Sequence, residues 1–137
     1  MTSPTQRRVL DAFALLAFFR DEPAADRVEE ILLDGGTNFM SVINTGEVFY
    51  KTVRSYGIAR AEEVLSLIDG YPIEIINVDR ELALAAARLK GTYRMSYADC
   101  FAAALAQQLD ATVVTGDPDF QQLEGRVDIE WLPAEET

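Results

Sequence analysis

With 137 residues, the chain is long enough for one domain with its own hydrophobic core and too short for two. It contains no histidine and one cysteine, which excludes imidazole-based nucleophile pairs, histidine zinc sites and an internal disulfide. Acidic residues outnumber basic ones by 23 to 12, and the net charge of −11 is opposite to the basic surface typical of nucleic-acid binding. This charge either keeps the protein soluble or is concentrated at a cation site, and composition does not decide between the two.

Neither export nor membrane insertion is expected from the sequence. The longest apolar run, Ala12 to Phe19, is far shorter than the roughly 20 residues that cross a bilayer. The N-terminal residues lack the charged start, apolar middle and small-residue cleavage site of a secretory signal. The lone Cys100 lies in an alanine-rich segment, where a small core side chain is the simplest interpretation. We therefore expect a cytoplasmic protein.

The first half of the chain predicts short strands that alternate with helices. The predicted elements are a short strand at Val9-Leu10, a helix over 12–19, a helix over 24–34, a strand over 38–40 and a helix over 42–56. Asp11 and Ser41 are placed to cap the helices that follow them. Within the third helix, Glu47 and Lys51 have the spacing of an ordinary surface ion pair. However, the segment around Glu47 is largely apolar, and an acid in such surroundings usually has a partner.

The second half continues the alternation. Its predicted elements are a helix over 59–69, a strand over 73–78, a helix over 80–91, a helix from Tyr97, a strand over 112–115 and an edge strand over 128–132 followed by an acidic end. The segment 73–78 has the strongest strand composition in the chain. Strands separated by one or two helices predict an α/β sandwich with a parallel sheet, formed by the whole chain, 1–137, as one domain.

Each prominent acid has an ordinary structural explanation. Ser96 and Asp99 fit a capping box, and Asp117 before a proline fits a helix N-cap. A functional interpretation needs these acids to converge. Right-handed crossovers would bring the carboxyl ends of the strands to one edge of the sheet, where Asp11 and Asp117 each follow a strand. Asp99, which opens the helix before the strand at Thr112, and Glu47, on the helix after the second strand, could lie at the same edge.

Four carboxylates at one edge would repel one another unless a cation neutralised them. Oxygen ligands suit Mg²⁺ or Mn²⁺, and such an ion can acidify a water molecule and polarise a phosphoryl oxygen. This chemistry permits phosphodiester hydrolysis without histidine. The ion would also reverse the local sign of the charge, so that an acidic protein could engage a polyanion.

Four motifs in order resemble the PIN domain family. They are VLDA around Asp11, S-x-x-N-x-x-E from Ser41 to Glu47, YADCFAAALA around Asp99 and VVTGDPDF around Asp117. More narrowly, the chain resembles the VapC-type toxins of toxin–antitoxin pairs from about Val9 to Trp131. The resemblance implies a Rossmann-like α/β/α sandwich with a central parallel sheet. It also implies a Mg²⁺- or Mn²⁺-dependent endoribonuclease.

The same resemblance assigns roles to individual residues. By position, the catalytic, metal-binding acids are Asp11, Glu47, Asp99 and Asp117, with Asp119 as an auxiliary metal ligand and Asn44 and Thr115 as supporting residues. The family further implies a homodimer and a cognate antitoxin protein that covers the groove. A gene for a small DNA-binding protein immediately upstream would favour the toxin interpretation.

Candidate contacts to the RNA substrate lie just before Asp99, and they are Arg88, Lys90, Tyr93 and Arg94. The alternative is a solvated helix end with cations near its carboxyl terminus.

Two other functions are less consistent with the sequence. A non-catalytic PIN-like module that binds RNA or protein is less favoured because all four acids are present. A phospho-acceptor domain would pair acids after the first strand and place a lysine after a later one, whereas Asp11 stands alone and Thr115 leads into Gly-Asp.

Overall fold

The computed structural model describes residues 6–133, and the predicted acidic end of the chain, 134–137, lies outside this range. The strands are β1 (Arg7–Leu10), β2 (Thr37–Ser41), β3 (Ile73–Ile76), β4 (Thr112–Thr115) and β5 (Ile129–Trp131). The helices are α1 (Ala12–Phe19), α2 (Ala25–Leu33), α3 (Val42–Tyr56), α4 (Ile58–Asp69), α5 (Arg80–Thr92), α6 (Tyr97–Leu109) and a 3₁₀ helix (Pro118–Leu123). None of these described helices has both the length and the apolar composition needed to cross a membrane.

The strands form one fully parallel sheet in the order β3-β2-β1-β4-β5. Helices α1 to α4 pack on one face of this sheet, and α5, α6 and the 3₁₀ helix pack on the other. Neighbouring residues of the central strands point into opposite cores: Val9 and Val113 into one, Leu10 and Val114 into the other. Burial on both faces explains why these strands are short apolar runs. The predicted α/β/α sandwich with a central parallel sheet is confirmed.

The predicted strand over 73–78 is shorter in the structure. Strand β3 ends at Ile76, lies at an edge of the sheet and is only half-buried. Its partner is β2, and the last pair in register joins Ile76 to Ser41. Ser41 is also the N-cap of α3, so the partner strand leaves the sheet at that point. Strand pairing, and not the composition of the segment, therefore sets the length of β3.

Gly116 allows α1 to pack closely against the turn that follows β4. Its backbone does not adopt the left-handed conformation that favours glycine, but a Cβ atom at this position would overlap the ring of Phe13. By contrast, a Cβ at Gly91 in α5 would meet open space. The glycine at 116 is therefore required by side-chain packing.

We expect the substitution Gly116→Ala to lower the free energy of unfolding by about 1–3 kcal/mol, because the Phe13 ring must move out of a packed position. The matched variant Gly91→Ala should instead be neutral or raise stability by up to about 1 kcal/mol, since alanine is the better helix former. Urea unfolding of the two variants measures this difference. Equal stability of both would show that Phe13 does not constrain the turn.

Candidate active site

The sheet has its topological switch point between β1 and β4. From β1 the chain proceeds to β2 on one side, and the later crossover from β3 places β4 on the other side of β1. In open parallel sheets, a crevice forms outside the carboxyl ends of the strands at such a point. Asp11 directly follows β1, and Asp117 lies two residues beyond β4. The strand order thus places the first and last predicted acids beside one crevice.

Asp11 is almost fully buried, with 1% of its surface exposed. As the N-cap of α1, it accepts a hydrogen bond from the Ala14 N–H at 3.0 Å, and it also accepts one from the Thr115 hydroxyl. The same hydroxyl accepts a hydrogen bond from the Asp117 N–H at 3.0 Å. Burial raises the pKa of Asp11 from 3.8 to about 7, although the two hydrogen bonds act in the opposite direction. The Thr115 hydroxyl therefore links the Asp11 carboxylate to the Asp117 backbone.

Asp99 lies in the first turn of α6, and 7% of its surface is exposed. The Ser96 hydroxyl accepts a hydrogen bond from the Asp99 N–H, so one half of the predicted capping box is formed. In the described part of the chain, the Asp99 carboxylate does not complete the box. It faces Asp117 and Asp119 instead, and carboxylate oxygens of these three residues lie within 4.8 Å of one another. Burial, and then the charges of Asp117 and Asp11, raise the pKa of Asp99 to about 8.

Helix α3 contributes Asn44 and Glu47 from its buried face. The Asn44 amide donates a hydrogen bond to the Ala98 carbonyl at 3.0 Å, which fixes α3 to the start of α6. One carboxylate oxygen of Glu47 lies 2.9 Å from the Lys51 ammonium. The other Glu47 oxygen and the Asn44 side-chain oxygen are buried without a hydrogen-bond partner among the described residues. A buried oxygen without a hydrogen-bond partner lowers the stability of the folded state unless a ligand or a water molecule contacts it.

These acids share one cavity of about 260 Å³. Its charged lining consists of Asp11, Glu47, Asp99, Asp117, Glu22, Arg20 and Lys51, and much of its remaining wall is apolar. Asp119 lies outside this lining but beside Asp99 and Asp117. The four acids of the predicted quartet are therefore brought together. Arg20 was not predicted, because the sequence around it indicates only the end of an apolar helix and carries no signal that it lines the cavity.

The residues predicted to contact RNA are Arg88, Lys90, Tyr93 and Arg94. None of these four residues lines the acidic cavity. The Lys90 ammonium donates a hydrogen bond to the Met95 carbonyl at 2.7 Å, which is a structural role at the end of α5. The Arg94 backbone is bridged by Gln122 to the 3₁₀ helix, close to Asp119. Contact between these residues and RNA stays a prediction.

The acidic cluster fits a hard divalent cation. All its donors are oxygens, two of the carboxyl groups have a raised pKa without a cation, and one Glu47 oxygen has no partner in the described region. Carboxylate oxygens of Asp99, Asp117 and Asp119 lie close enough together to share one ion, and Asp11 and Glu47 line the same cavity as Asp99 and Asp117.

The chain is thus an α/β protein with a Rossmann-like parallel sheet and an acidic crevice at the switch point of that sheet. The sequence profile of the PIN domain matches residues 8–126, and the chain belongs to the PIN domain family. A search of curated protein sequences finds no match to this chain.

Solved structures with the same fold include toxin–antitoxin proteins. VapBC2 from Rickettsia felis, bound to a promoter DNA fragment, is 18% identical, with a TM-score of 0.73 over 93% of this chain and 100% of that chain. A toxin–antitoxin complex from Klebsiella pneumoniae is 22% identical, with a TM-score of 0.69 over 94% and 99% of the two chains. VapC20 from Mycobacterium tuberculosis, a sarcin–ricin loop cleaving toxin, is 14% identical, with a TM-score of 0.71 over 84% and 93%. At these identities the similarity establishes the fold.

The raised pKa values of Asp11 and Asp99 predict that stability of the metal-free protein decreases as the pH rises. In the unfolded chain both carboxyls ionise near 3.8, so between about pH 4 and pH 8 the folded state binds more protons than the unfolded state. The melting temperature should therefore fall between about pH 5 and pH 8. Mn²⁺ should raise the melting temperature by on the order of 5 °C at the higher pH and by much less at the lower.

The variant Asp99→Asn separates this effect from the general repulsion of an acidic protein. Metal-free Asp99→Asn should be more stable than the unsubstituted chain at about pH 8, and its response to Mn²⁺ should largely disappear. Asp128→Asn, at an exposed position away from the cavity, serves as the charge-matched control and should retain the response. Identical Mn²⁺ responses in the two variants would exclude Asp99 from the cation site.

Thr115→Val tests whether the shared hydroxyl organises the cluster. This near-isosteric change leaves the Asp117 N–H without its acceptor and removes the donor to Asp11, so it should weaken Mn²⁺ binding by about tenfold. Thr115→Ser keeps the hydroxyl and should bind Mn²⁺ nearly as well as the unsubstituted chain. Calorimetric titration gives both affinities, and equal weakening by valine and serine would assign Thr115 a packing role only.

Proposed function

We propose that the protein is a Mg²⁺- or Mn²⁺-dependent endoribonuclease. The observation that carries this proposal is the convergence of Asp11, Glu47, Asp99 and Asp117 in one cavity at the switch point of the sheet. The pKa of Asp11 is raised to about 7 and that of Asp99 to about 8, so ionising both carboxyls near neutral pH is unfavourable. A bound cation would stabilise their ionised forms. Membership of the PIN domain family supports the same function.

When bound, the divalent ion supplies a more acidic water, a polarised phosphoryl oxygen and a countercharge for the leaving oxygen. The protein residues would hold the ion and orient its water ligand. Asp11, Glu47, Asp99 and Asp117 would hold the ion, and Asp119 would orient a water ligand. Attack by water on phosphorus leaves a 5′-phosphate on one product and a 3′-hydroxyl on the other.

Supporting residues keep the acids in position. Thr115 holds the Asp11 carboxylate and the Asp117 backbone through the same hydroxyl group. Asn44 ties α3 to the first turn of α6 and thereby sets the separation of Glu47 from Asp99. A site held by strand ends and capped helices keeps its ligands close to a fixed geometry, which catalysis by positioned charge requires.

The protein is further proposed to be the toxin of a type II toxin–antitoxin system. Structures with the same fold, over nearly the whole length of both chains, are toxin–antitoxin complexes. A cognate antitoxin would then cover the acidic cavity, and both proteins would act in the cytoplasm. A homodimer is expected for the free toxin, and light scattering of the purified protein tests that expectation.

A non-catalytic PIN-like module that binds RNA or protein is the second candidate. The net charge of −11 favours it, because it leaves little positive surface for a nucleic-acid substrate. The complete acidic quartet favours the nuclease. Activity measurements with metal and with a chelator distinguish the two functions.

We expect the purified protein to cut a labelled structured RNA in Mg²⁺ and not in EDTA, and to leave 5′-phosphate ends. Asp99→Asn should slow cutting by about a hundredfold or more, since it removes one charge from the cation site. The charge-matched Asp128→Asn should cut at the original rate. Gel electrophoresis with end analysis measures both rate and product chemistry.

Three results would contradict this assignment in different ways. Products with 2′,3′-cyclic phosphate would mean attack by the RNA's own 2′-hydroxyl. Cutting that survives both EDTA and Asp99→Asn would come from a contaminating nuclease. Calorimetric binding of Mn²⁺ without cutting of any RNA tested would favour the non-catalytic module.

A further inference from the structure

The acidic cavity also contains two basic side chains. Arg20 follows α1 as its C-cap residue, and Lys51 lies in the middle of α3. Both line the cavity that contains the four acids. Positive charges beside a cluster of carboxylates are expected to form ion pairs, and the two residues differ in this respect.

Lys51 forms one ion pair and has further hydrogen-bond donors left. Its ammonium lies 2.9 Å from a Glu47 oxygen, and 44% of the side chain is exposed. An ammonium has three donors, so one ion pair leaves donors available to a ligand in the cavity. Because Lys51 contacts a residue of the cation site directly, a ligand bound by Lys51 would lie next to the ion.

Arg20 carries a charge that no carboxylate neutralises within the described residues. Its guanidinium lies 5.6 Å from the centre of the Tyr56 ring and makes long hydrogen bonds to the Lys51 carbonyl (3.5 Å) and the Ser55 hydroxyl (3.4 Å). Its Nε is buried without a partner among residues 6–133. Three other arginines in the structure do pair with carboxylates, and they are Arg8, Arg27 and Arg60. Arg20 is therefore held in place by neutral groups, and no carboxylate among residues 6–133 offsets its charge.

We propose that Arg20 and Lys51 form the binding site for the backbone phosphate of the RNA substrate. The inference rests on the proposed ribonuclease function and names the residues that hold its substrate. A phosphodiester could place one oxygen toward the cation held by the acids and another toward Lys51 and Arg20. The fork of an arginine and the point charge of a lysine are both suited to phosphate. This assignment differs from the predicted contact region at Arg88 to Arg94, which lies outside the cavity.

The proposal predicts that substitution of Lys51 or Arg20 weakens RNA binding without weakening metal binding. Lys51→Ala removes a cation that competes for Glu47, so Mn²⁺ should bind at least as tightly as before, while RNA should bind about tenfold more weakly. Arg20→Ala should leave Mn²⁺ binding unchanged and weaken RNA by a similar factor. Each variant should also reduce the slope of log affinity against log salt concentration by somewhat less than one.

The experiment uses fluorescence anisotropy of a short fluorescein-labelled single-stranded RNA, with Ca²⁺ in place of Mg²⁺ to suppress cutting. Calorimetric titration with Mn²⁺ alone gives the metal affinity of each variant. Arg80→Ala, at an exposed position outside the cavity, is the charge-matched control and should change RNA affinity by less than about twofold. Arg20→Lys keeps the charge and should recover part of the lost affinity.

Specific outcomes overturn the inference. If the unsubstituted protein cuts and binds RNA but Arg20→Ala and Lys51→Ala do so equally well, the phosphate site lies elsewhere and the ribonuclease function stands. A larger loss in Arg88→Ala would move the site to the end of α5. If the unsubstituted protein binds Mn²⁺ and neither binds nor cuts RNA, both the proposed function and the phosphate site fail.

Discussion

The burial of several carboxylates in one cavity is the physical constraint on which this site depends. Bringing Asp11 and Asp99 into one poorly solvated cavity is unfavourable, and their raised pKa values are the direct expression of that cost. The opposing stabilisation comes from the rest of the fold, in which strands β1 and β4 are buried on both faces by two separate cores. The sheet therefore holds the acids at one position, where a cation would offset the cost of burying their charges.

The capping roles of these acids are compatible with the proposed metal-binding role. Asp11 caps α1 and Asp117 caps the 3₁₀ helix, as an ordinary reading of the sequence predicts. Capping fixes the position of each carboxylate through a backbone N–H, which pre-orients it for a ligand. Asp99 differs, because its predicted capping box is only half formed and its carboxylate turns toward the other acids. An acid that is well placed to cap but does not complete the cap indicates function more strongly than one that does.

Sequence patterns predicted the alternation of strands and helices, the capping residues and the strand-end acids, because each depends on local periodicity or on the parallel topology. They did not predict the short β3, whose length is set by the departure of β2 at Ser41. They also missed the contact that makes Gly116 necessary and the placement of Arg20 in the cavity. All three depend on which distant segments meet, and one sequence carries no local signal of such pairings.

The distribution of charge is relevant to how so acidic a protein would engage the proposed RNA substrate. A surface with net charge −11 repels a polyanion at long range, so extended phosphate tracking of the kind seen in basic proteins is unfavourable. Under the proposed function, attraction would be confined to the cavity, where a divalent ion and the side chains of Arg20 and Lys51 would locally reverse the sign of the charge. A protein that binds through so small a positive region gains little affinity from further phosphates along the RNA backbone. Discrimination among RNAs would consequently depend on whether a particular phosphate can enter the cavity, which makes the shape of the RNA more important than its charge.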